Sequence, residues 1–118
     1  MEETTFKQNI DVVERLKQII NNKIDEKIHL TDNEWQEIKM YAIQMYPEFK
    51  DKLLHYCKIN EKELRMCLLL KLDIPVNTIA KMLCMSSAGI SNMRRRLIEK
   101  VKGRKCAAKE CDEWIKSL

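Results

Sequence analysis

At 118 residues the chain has room for one domain, or a small domain with a helical extension, and not for a two-domain cofactor enzyme. Two Gly and two Pro, where average usage gives roughly eight and six, exclude a turn-rich β-sandwich or barrel and favour long helices. The net charge of +4 is unevenly placed: residues 1–64 carry 10 Lys and Arg against 13 Asp and Glu, residues 65–118 carry 12 against 5. A back half with a balance of +7 implies a polyanionic partner there.

Over residues 5–28, Phe6, Ile10, Val13, Leu16, Ile20 and Ile24 step by three or four and predict an amphipathic helix about six turns long. Its stripe can dock on the rest of the domain or on the same helix of a second chain, although the intervals hold no strict heptad. With no run of 18 apolar residues and an acidic, polar N-terminus, neither a transmembrane span nor a signal peptide is expected. Five cysteines without a secretory signal point to reduced thiols in a cytoplasmic protein. Among apolar neighbours, Cys57, Cys67 and Cys84 read as small core hydrophobes. Cys106 and Cys111 lie about 140° apart on a helix, with no His nearby, and do not converge on a metal.

Leu30-Thr31-Asp32-Asn33-Glu34-Trp35 is a helix start. Thr31 caps, Glu34 reaches back, and Leu30 with Trp35 forms the staple. That helix should run from Asp32 to about Tyr46, where Pro47 forces a stop or a kink, and a shorter one should follow from Glu48 to about Cys57. The same grammar recurs at Ile59-Asn60-Glu61-Lys62-Glu63-Leu64. It opens a helix that is apolar on most sides, reaches Leu72 and should be the central buried one. Asp73-Ile74-Pro75 ends it.

Residues 76–95 carry the most informative pattern. Val76–Leu83 is a short helix with Ile79 and Leu83 inward, Cys84-Met85 makes a turn, and Ser86 caps a helix whose apolar stripe is Ile90, Met93, Leu97 and Val101. A helix-turn-helix needs a small residue at the crossing, here Ala80, and an apolar plug in the turn, here Met85. Cys84 stands where Gly is usual, so a positive φ there is strained, and Pro75 stands where Ser or Thr commonly caps. Opposite that stripe lie Ala88, Asn92, Arg95 and Glu99, flanked by Ser91 and Arg96, with Arg94 nearer the core edge. Ser87 and Ala88 are small enough to enter a major groove, Asn pairs with adenine and Arg with guanine, and Lys100, Lys102, Arg104 and Lys105 follow as phosphate contacts.

Across residues 59–101, the acid-capped start Asn60–Glu63, the run Ile79-Ala80-Lys81-Met82-Leu83-Cys84-Met85-Ser86 and Gly89-Ile90-Ser91-Asn92-Met93-Arg94 resemble the LuxR/GerE-type DNA-binding domain. The likeness looks closest to the forms that end longer helical regulators of Bacteroidetes type. It implies a winged-helix-like, LuxR C-terminal-like bundle and base contacts at Ser91, Asn92 and Arg95. The chain departs from that pattern at Asp73, Gly89 and Met93, where Gly, Thr and His are usual. Residues 1–58 are too few for the receiver or ligand-binding domain frequent in the family.

The expected architecture is therefore all-α: an N-terminal helical extension over 1–58 and a helix-turn-helix domain with a C-terminal helix over 59–118. The expected function is a transcriptional regulator that reads double-stranded DNA through Ser87, Ala88, Ser91, Asn92, Arg94, Arg95, Arg96, Lys100, Lys102 and Arg104. Two competing readings are a helical protein-interaction module and a sigma-factor region-four-like domain that also contacts RNA polymerase. His29 and His55 belong to no nucleophile–base arrangement and no phosphate loop occurs, so no enzyme, cofactor, metal or small-molecule ligand is expected. In the last segment, Ala107, Ala108, Cys111, Trp114, Ile115 and Leu118 form one stripe. Either it makes a homodimer around Trp114 or it packs back on the helices at 32–57.

Overall fold

Two capping boxes set the frame. In the computed structural model, which describes residues 30–118, Thr31 Oγ1 accepts the Glu34 N–H at 3.1 Å while Glu34 Oε1 accepts the Thr31 N–H at 3.0 Å. They open α1 (Asp32–Met45), which stops before Pro47 as the absent N–H and fixed φ of proline require. Asn60 and Glu63 make the same reciprocal pair at 2.8 and 3.0 Å and open α3 (Glu61–Lys71). Between them lies α2 (Phe49–Tyr56), which buries Phe49 and Leu53. The chain continues with α4 (Val76–Met82), α5 (Ser87–Lys102) and α6 (Ala108–Ser117). The described residues are all-helical, without strands. The helix expected over 5–28 lies outside them.

At the centre is α3. Met66, Cys67, Leu68, Leu69 and Leu70 are consecutive and all buried, so the helix is enclosed on nearly every side. It packs against α1, α4 and α6, and α5 packs against α4 and α6. One apolar cluster runs from Trp35 to Ile115, so residues on both sides of position 58 share a single core. Across the α1–α3 contact, the Arg65 guanidinium lies 4.6 Å from the Trp35 ring centroid, and Lys39 pairs with Glu61.

Both connections into and out of α4 are Schellman turns. After α3, the Ile74 N–H donates to Leu69 O at 3.0 Å and the Asp73 N–H to Leu70 O at 3.0 Å. After α4, the Met85 N–H donates to Ala80 O at 2.8 Å and the Cys84 N–H to Lys81 O at 3.2 Å. Such a turn needs one left-handed residue, and Asp73 (φ 67°) and Cys84 (φ 55°) take that role without being glycine. The expected strain at Cys84 is thus present. Its thiol is exposed, which corrects the expectation that Cys84 fills the core. The other four cysteines are buried, and burial raises the pKa of their thiols, that of Cys111 to about 12, so they stay protonated at neutral pH.

A left-handed backbone costs an L residue about 1–2 kcal/mol, part of which the greater unfolded-state freedom of glycine offsets. Cys84→Gly is therefore expected to stabilise the chain by up to about 1 kcal/mol in urea unfolding. Asp73→Gly should gain less, because Asp tolerates this region better and Asp73 Oδ1 pairs with Lys116 Nζ at 2.9 Å. No gain, or a loss, for both would show that the turns are not strained.

Candidate functional site

The basic back half concentrates on α5 and the joint that follows it. Ser86 Oγ accepts the Gly89 N–H at 3.0 Å and opens α5, while Gly103 (φ 68°) closes it with its N–H on Glu99 O at 2.8 Å. At Gly89 a Cβ would stand 3.2 Å from Ser86 Oγ and 3.3 Å from Met85 Cε. The missing side chain lets Met85 lie over the first turn of α5, where it packs on the core as the sequence pattern requires of the turn residue.

The inward face of α5 differs from the expected stripe. Ile90, Arg94, Leu97 and Ile98 are buried, and Met93 and Val101 are only partly so. At 100° per residue the buried face is turned by about 40° toward the 94/98 side, because α6 packs there. Arg94 is the consequence and the main correction: it is 9% exposed and points away from any outward face. Its Nε donates to Asp112 Oδ1 at 2.9 Å and its Nη2 pairs with Asp112 Oδ2, a bidentate contact from α5 to α6. A buried cation needs such a partner, since an unpaired one would cost several kcal/mol.

The other candidates separate into two groups. Ser87, Ala88, Asn92, Arg95, Arg96 and Lys102 are exposed and Ser91 is half-buried. Rotation of the helix brings Arg96 toward the middle of the outward face. Arg95 Nη2 donates to Asn92 Oδ1 at 3.4 Å and Nη1 lies 3.8 Å from Glu99 Oε1, both loose contacts that a stronger acceptor can replace. Lys100 and Arg104 have partners in the chain: Lys100 Nζ donates to Lys58 O at 3.3 Å, and Arg104 Nη2 to Glu110 Oε1 at 3.0 Å.

Sequence reasoning missed Glu99, Glu110 and Asp112 as the carboxylates that hold the α5–α6 joint. Glu99 Oε2 accepts the Cys106 N–H at 3.1 Å, and Glu110 Oε2 accepts the Ala107 N–H at 2.7 Å. The position of Arg94, four residues after Ile90 and three before Leu97, was the available signal that it faces inward. Nothing in the pattern pointed to Asp112, eighteen residues away.

The last stripe is used within the chain. Cys111 and Ile115 are buried against α5 and α3, rather than chiefly on the helices at 32–57. Trp114 meets Tyr56 edge-on at 5.5 Å, Lys71 Nζ donates to Lys116 O at 3.1 Å and Lys52 Nζ to Leu118 O at 3.4 Å. Among the described residues no three His, Cys, Asp or Glu side chains converge as a metal site requires, and no helix is long and apolar enough to cross a membrane. No protein-family model, curated protein or solved structure matches the chain.

Two carboxylates at the described joints have lowered pKa values: Glu110 through the Ala107 N–H and then Arg104, Glu61 through the Lys39 hydrogen bond. A lowered folded-state pKa stabilises fully above the unfolded value of 4.5 and is lost as pH falls through the folded value. The melting temperature is expected to fall on acidification below pH 4.5 and to fall less steeply in Glu110→Gln. Parallel profiles for the two proteins would remove Glu110 from the account.

Proposed function

We propose that the chain is a DNA-binding transcriptional regulator and that α4, the turn through Met85 and α5 form a helix-turn-helix whose second helix enters the major groove. One observation carries the reading. The exposed residues of α5 begin in its first turn with the small side chains Ser87 and Ala88, continue through Asn92 on the face turned away from the core, and include Arg95 and Arg96. Small residues at the leading end permit close approach, while Asn and Arg match adenine and guanine edges. The resemblance of residues 59–101 to LuxR/GerE-type domains supports the same assignment, as does the balance of +7 over residues 65–118.

In this reading Arg95 and Arg96 trade loose contacts or solvent for base edges. Lys102 meets a phosphate, and Arg104 and Lys100 do so only by leaving Glu110 and Lys58 O. Glu99 lies on the same side and sets a limit to nonspecific attraction, since a carboxylate near the groove repels phosphate. A specific site needs more base pairs than one helix covers, so binding as a pair on two half-sites fits the geometry. With Cys111 and Ile115 consumed inside the chain, such a pair would have to use other surfaces, such as the partly exposed Trp114.

A second reading draws on different residues. Tyr56 is 55% exposed beside Trp114, Leu54 is 45% exposed on the same helix, and Met40 and Ile43 are exposed on α1, as on a protein-interaction module. A salt titration of duplex binding separates the two. DNA recognition requires affinity that falls steeply with log salt, and no binding to any duplex at about 50 mM salt leaves the interaction module. For a duplex selected from a random pool, Arg95→Ala is expected to cost about 1–3 kcal/mol and relax base preference. Lys102→Ala should weaken all duplexes alike and reduce the salt slope by about one. Equal loss on selected and random DNA for Arg95→Ala would make Arg95 a phosphate contact.

A further inference from the structure

The three arginines at 94–96 point in three directions, and what fixes those directions is a pair of directional ties, one from α5 to α6 and one from α5 to the segment that leads into α6. The apolar contacts of Ile90, Leu97 and Ile98 hold α5 against the core, but hydrophobic contact is non-directional and tolerates some rotation about the helix axis. Arg94 with Asp112 is different: a planar guanidinium and a planar carboxylate in bidentate contact admit one relative orientation. Glu99 supplies a second tie about one and a half turns further along, on the Cys106 N–H. The helix to which the first is anchored is itself held. Cys111 and Ile115 of α6 are fully buried, Lys71 of α3 caps Lys116 O, and Lys116 pairs with Asp73 at the end of α3.

We propose that Arg94 and Asp112 are positioning residues: their pair sets the rotation of α5 and so decides which side chains α5 offers to a base pair. The inference rests on the DNA-binding reading above. A rotation of about 20°, at a side-chain radius of about 5 Å, moves the outward groups by about 2 Å. Bidentate contacts to base edges do not survive that displacement, whereas flexible lysines still reach phosphates. The pair thus governs discrimination between sequences more than affinity for DNA as such.

Two variants of the full chain test this, Arg94→Lys and the apolar double substitution Arg94→Met with Asp112→Leu. The first keeps the charge but not the fork, and the second leaves no unpaired buried charge. Each is compared with the native chain by thermal unfolding and by binding to a duplex selected from a random pool and to a random duplex of equal length. The expected result is a cooperative melt in both variants, at least a fivefold loss in the ratio of selected to random affinity, and random-duplex affinity within twofold of native. Native discrimination in both folded variants overturns the proposal, and so does failure of both to fold, which would make the pair a requirement for folding alone. If the native chain binds no duplex, the DNA reading fails instead. The positioning role is then read from amide NMR signals: shifts at Ser91, Asn92 and Arg95 in Arg94→Lys support it, and unmoved signals there overturn it.

Discussion

Everything in this fold is arranged around the need to enclose α3. A helix with five consecutive buried side chains from Met66 to Leu70 has no solvent face to spare, so it must be covered from several directions at once. Each fully buried Leu or Met contributes about 1.5–3 kcal/mol relative to exposure, so no single neighbouring helix can be removed without exposing part of that total. Coverage by α1, α4 and α6 follows from it, and α5 is held in turn by α4 and α6. The length of α3, eleven residues, determines where its polar ends emerge: Glu61 beside Lys39 and Arg65, Lys71 beside the ring of Tyr46 and the last carbonyls of α6.

Short helices in such an arrangement depend on their ends. With seven residues, α4 cannot gain much from its own hydrogen bonds, and Pro75 gives it no side-chain cap. Schellman turns on both sides compensate by satisfying carbonyls and directing Ile74 and Met85 onto the core. Two non-glycine residues in left-handed conformation are the cost of making both turns this tight. At Gly89 the logic is reversed, and an absent side chain makes room for the Met85 plug.

Polar side chains then do what apolar burial cannot, which is to choose among rotations and tilts. Carboxylates of Glu99, Glu110 and Asp112 engage a backbone N–H of the joint, a guanidinium or both, and together they stiffen the α5–α6 corner. All three lie in the half of the chain with the cationic excess. Each such pair removes one charge of either sign and leaves that excess intact: Arg94 and Arg104 have carboxylate partners, and the exposed Arg95, Arg96 and Lys102 belong to the outward charge of the proposed interface.

Local signals sufficed for the helix starts at Thr31, Asn60 and Ser86, because capping depends on residues three apart and on little else. The stop at Pro47, the buried character of the Met66–Leu70 run and the positive φ at Cys84 were legible for the same reason. Tertiary contact decided the rest. The rotation of α5 depends on where α6 lands, and a run such as Met93 to Ile98, three consecutive arginines between apolar residues, is compatible with more than one inward face. Arg94 reads as a surface cation until Asp112, on another helix, supplies the charge that permits its burial. Cys84 reads as core until the turn places it outside, and the stripe from Ala107 to Leu118 leaves its partner open until α3 and α5 cover it. Residues three or four apart share a helix face by geometry, so sequence determines them; pairs separated by a chain reversal meet only when the core has brought their helices together.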